Sequence, residues 1–91
     1  DIRCARYATF GTQALSDAVL AALEGRRACL MANHGLVAFG ASLSGALALA
    51  VEVEALCGQY LRCLPVGEPV LLSDAEMAEV LEKFRDYRSE D

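Results

Sequence analysis

The sequence holds a single histidine, no CxxC pair among its four cysteines and no basic cluster beyond Arg26–Arg27. Each shortage closes off a class of function. With 13 acidic against 8 basic residues and a formal charge of -5, a nucleic-acid surface is excluded. Cys4, Cys29, Cys57 and Cys63 lack metal-ligand spacing, and three of them sit in strongly apolar stretches. They read as free, buried thiols of a reducing, cytoplasmic compartment, not as a disulfide framework or a sulfur-ligated metal. Gly35, Gly40 and Gly45 do not make the GxGxxG of a dinucleotide site. The first residues, Asp-Ile-Arg-Cys-Ala-Arg, have neither the apolar stretch nor the small-residue cleavage site of a secretory signal, and no initiator Met. Charge is also absent from Ala28 through Val51, a length that could cross a bilayer. Asn33, His34 and three glycines break that run into strand, turn and helix, and broken backbone cannot face lipid, so no membrane role is expected.

Apolar residues are what the sequence has in excess: 55% of 91 residues, where globular chains run at about 45–50%. One domain at most fits the length, and a chain of this size buries only roughly 60–65% of its unfolded surface. Such composition excludes a disordered tail and sends the surplus against a partner subunit or further polypeptide.

The pattern along the chain reads as α/β. An extended stretch leads to Gly11, and Thr12 offers a helix cap. From Gln13 to Glu24, Leu15, Val19, Ala22 and Leu23 recur at helical spacing, and Gly25 stops the helix. Two short apolar runs, Arg27–Asn33 and Leu36–Phe39, have strand length, and Asn33-His34-Gly35 between them predicts a tight antiparallel turn with a positive φ at Gly35. Ser42 or Ser44 caps a helix to about Cys63 whose first turns are apolar all round, so it should be enclosed on more than one side. After a Pro/Gly loop, Ser73 and Glu76 form a capping box for a last helix with Met77, Val80, Leu81 and Phe84 on one face. The expected architecture is a short, mainly antiparallel sheet of two or three strands flanked by about three helices.

His34 carries the most chemical information. Held between an apolar strand and a glycine turn, it suits a metal ligand or a proton carrier, and it equally suits a histidine that merely hydrogen-bonds in its turn. A metal site needs about three protein ligands, and no second histidine or neighbouring carboxylate supplies them. Ser42 and Ser44 are explained as caps, and Glu52 and Glu54 do not share a helix face as an acid/base pair would. On the residues alone the chemistry stays open.

Larger strings narrow it. Tyr7-Ala8-Thr9-Phe10-Gly11-Thr12, Leu30-Met31-Ala32-Asn33-His34-Gly35-Leu36, Val51-Glu52-Val53-Glu54 leading to Tyr60-Leu61, and Leu81-Glu82-Lys83-Phe84 with Tyr87 resemble the C-terminal portion of class II sugar-phosphate aldolases, of the fuculose-phosphate type, across nearly the whole chain. The resemblance implies residues 1–91 as the later part of one class II aldolase/adducin-like domain. It implies a Zn²⁺ held by three histidines, of which His34 is one, acting as a Lewis acid on a ketose carbonyl. Phe10 and Tyr87 are implied as substrate-binding residues; Arg6 stands where the family commonly has proline. The family's His-x-His pair, catalytic glutamate and phosphate loops are expected upstream of these residues, leaving the chain alone inactive. A small-molecule sugar phosphate and a homo-oligomer, usually a tetramer, are the implied partners. A pentose-phosphate 4-epimerase or dehydratase of the same fold, and a non-catalytic association module like the adducin head, are the alternatives.

Overall fold

The computed structural model describes residues 1–89, with side chains through residue 85. Its elements in chain order are β1 (Cys4–Ala5), α1 (Gln13–Ala22), β2 (Ala28–Met31), β3 (Gly35–Ala38), α2 (Leu43–Cys63) and α3 (Asp74–Ser89). Three helices and a three-stranded sheet match the expected α/β class. They fall into two compact units, Asp1–Leu61 and a second that begins at Arg62.

In the first unit the strand order is β1-β2-β3. β2 and β3 pair antiparallel from Ala28↔Ala38 to Met31↔Gly35, while β1 lies parallel to β2 through Cys4↔Leu30 and Ala5↔Met31. Parallel neighbours need a crossover, and α1 supplies it. From the sequence this stretch reads merely as extended, because the two residues of β1 carry too little alternation to announce a strand.

Side chains of a strand point alternately to the two faces of the sheet. Ala5, Cys29 and Val37 therefore share one face, and there Ala18, Ala22, Val19 and Leu23 of α1 pack on them. Small residues at both sides of this contact permit close approach of helix and sheet. Cys29 is fully buried, and burial, with Cys4 nearby, pushes its thiol pKa up. The expectation of buried thiols holds for Cys29 only. Cys57 is half-buried, and Cys4 and Cys63 are exposed, because β1 is an edge strand and Cys63 ends its helix.

Helix starts follow their caps. Thr12 Oγ1 accepts from the Leu15 amide at 3.2 Å and donates to the Thr9 carbonyl at 2.6 Å. Ser42 Oγ accepts from the Gly45 amide at 3.1 Å. α1 ends at Ala22, two residues earlier than its apolar spacing suggests, with Leu23 as its cap and Gly25 at φ +68°. On α2, Val53 is buried, but Leu43 (88% exposed), Leu47 (66%) and Val51 (60%) form an i, i+4, i+8 stripe open to solvent. The predicted enclosure is thus present on one side of α2 only, because nothing in the first unit covers this face.

In the second unit the capping box closes as expected. Ser73 N–H donates to Glu76 Oε1 at 3.0 Å, and Glu76 N–H donates to Ser73 Oγ at 3.2 Å. The hydrogen bond from the Ser73 backbone, then that from its side chain, holds the Glu76 carboxyl below the usual range. Met77, Leu81 and Phe84 remain exposed on α3. Among the described residues no helix is long and apolar enough to cross a membrane.

Candidate functional site

The site is built by the β2–β3 hairpin. Three residues, Ala32-Asn33-His34, link the closing pair Met31↔Gly35, and the His34 amide donates to the Met31 carbonyl at 3.0 Å. Reversal in so short a loop requires a residue in the left-handed region. Asn33 takes it, at φ +67°, and Gly35 follows at φ +149°. The sequence reading assigned positive φ to Gly35 alone; Asn33 shares the burden because its short polar side chain tolerates that conformation.

The hairpin presents His34 to the segment after β1. Backbone bonds from Leu30 N–H to Arg3 O (2.8 Å) and from Ala32 N–H to Ala5 O (3.1 Å) hold that segment alongside β2. As a result the carbonyl of Ala8 lies 2.8 Å from His34 Nε2. The Tyr7 ring stacks on the imidazole with centroids 5.6 Å apart and planes inclined by 11°. Since a carbonyl oxygen only accepts, Nε2 carries the proton.

An open cleft of about 640 Å³ adjoins the turn. Cys4, Leu30 and Leu36 from the sheet face opposite α1 line it, together with His34, and Glu54 and Cys57 of α2 contribute to it. Glu54 does not pair with Glu52 on one helix face, and its place beside the hairpin depends on packing of α2 that no local spacing reveals. Phe10 stands in the turn before α1, 79% exposed, and does not line this cleft. Tyr87 falls in α3, and its side chain lies outside the described residues.

Whether the site suits a metal turns on its donors. A metal-ligating histidine commonly bonds a backbone carbonyl through its second ring nitrogen, and His34 has such a carbonyl in Ala8, so it fits the part of a single ligand. Among the described residues no group of three His, Cys, Asp or Glu side chains is gathered closely enough to hold a metal ion.

Comparison with known proteins gives the family. The profile described as "Class II Aldolase and Adducin N-terminal domain" matches residues 1–61, the span of the first compact unit, and the chain belongs to this family. Over 87 residues it is 58% identical to a 5-methylthioribulose-1-phosphate/5-deoxyribulose-1-phosphate aldolase of Rhodospirillum rubrum, covering 96% of this chain and 39% of that protein. An L-fuculose phosphate aldolase of Escherichia coli is 54% identical over 87 residues, 94% of this chain and 40% of its own length. A solved L-fuculose 1-phosphate aldolase superposes with a TM-score of 0.87 at 44% identity, covering 92% of this chain and 40% of that one. The chain therefore spans about two-fifths of the length of these relatives.

Proposed function

We propose that these residues form the later part of one aldolase/adducin-like domain in a class II aldolase that cleaves a ketose phosphate into a glycerone-type phosphate and an aldehyde. The observation that carries this reading is His34, tied by Nε2 to the Ala8 carbonyl and set in an Asn-His-Gly hairpin, in a chain of this family. In the proposal His34 is one protein ligand of a Zn²⁺, whose bound charge supplies Lewis-acid polarisation of a carbonyl. Two further ligands and the acid/base group come from outside residues 1–91, so this chain alone is inactive. Phe10, with most of its ring exposed, and Tyr87 are assigned to the substrate. An apolar ring at Phe10 suits a sugar whose far end is deoxy or methylthio, as in the names of the R. rubrum relative's substrates. The exposed stripe Leu43-Leu47-Val51 supports burial against a further copy or segment, and the reduced thiols fit a cytoplasmic setting.

The test is an aldol-cleavage assay on the full gene product with L-fuculose phosphate, 5-methylthioribulose 1-phosphate and 5-deoxyribulose 1-phosphate, reading release of the triose phosphate. Activity on at least one, abolished by a chelator and restored by zinc, is the expected result. A product that binds zinc but only epimerises or dehydrates its substrate, or one that neither binds zinc nor turns over, would replace the aldolase with the sister enzymes or with an association module.

A further inference from the structure

We draw no further inference here: the strongest candidate, the apolar groove between α2 and the sheet lined by Ile2, Leu30, Leu56, Tyr60 and Leu61, carries nothing because nothing in the structure shows what covers it.

Discussion

Asn33 is the residue on which the hairpin turns, and its replacement gives a sharp measurement. At φ +67° a Cβ-bearing side chain meets the steric penalty of the left-handed region, about 1–2 kcal/mol for an ordinary residue. Asparagine escapes part of it through local hydrogen bonding. Asn33→Ala should therefore cost the turn roughly 1 kcal/mol, and Asn33→Gly, free of a Cβ, should cost much less. A penalty of that size raises the open fraction of the hairpin about fivefold. The reporter is the His34 amide, whose hydrogen bond to Met31 O at 3.0 Å exists only in the closed turn. Its hydrogen exchange should accelerate about fivefold in Asn33→Ala and stay near wild type in Asn33→Gly. Unchanged exchange in the alanine variant would refute the assignment of strain to this backbone. A glycine variant as fast as alanine would show instead that the asparagine side chain, not its φ, holds the turn.

Two further outcomes follow from the packing and the caps. Cys29, fully buried among alanines with its thiol pKa raised, should resist thiol reagents under native conditions while Cys4 and Cys63 react; Cys29→Ser, which buries a hydroxyl there, should destabilise by about 1–3 kcal/mol, seen as a lower melting temperature. The Glu76 carboxyl titrates below its ordinary 4.5 because Ser73 bonds to it, so its contribution is complete above that value and is lost as pH falls through the lowered folded pKa. The Ser73 amide proton should shift across that acid range in wild type and stay flat in Glu76→Gln, which keeps the capping box without the charge.

What was legible in the sequence is what local chemistry decides. Thr12, Ser42 and the Ser73/Glu76 pair announced three helix starts because a cap is satisfied within three residues of itself. The Asn-His-Gly hairpin was legible for the same reason. β1 was not, since two residues pair in parallel with a strand 26 positions away and leave no periodic trace. The site shows the same division. His34 stood out as the one histidine, whereas Tyr7 and Ala8 join it only through that parallel pairing. Glu54 reaches the cleft through the seating of α2, which apolar spacing does not specify. The all-round apolar start of α2 was read correctly as composition, but its outer stripe faces solvent here because burial needs a neighbour and composition names none.

The buried set has a consequence for how this protein can be probed. Of the six core residues among those described, Ala5, Ala18, Ala22 and Ala28 are already alanine, leaving Cys29 and Val53. Alanine scanning, the common tool for finding structural positions, would pass over four of the six in silence. Enlargement is the informative direction: a methylene added at Ala18 or Ala22 has to push α1 off the sheet, and overpacking of that kind costs about 1–3 kcal/mol. The centre is thus intolerant of gain, and a survey by bulky substitution would trace the contact between α1 and the sheet that a survey by truncation leaves blank.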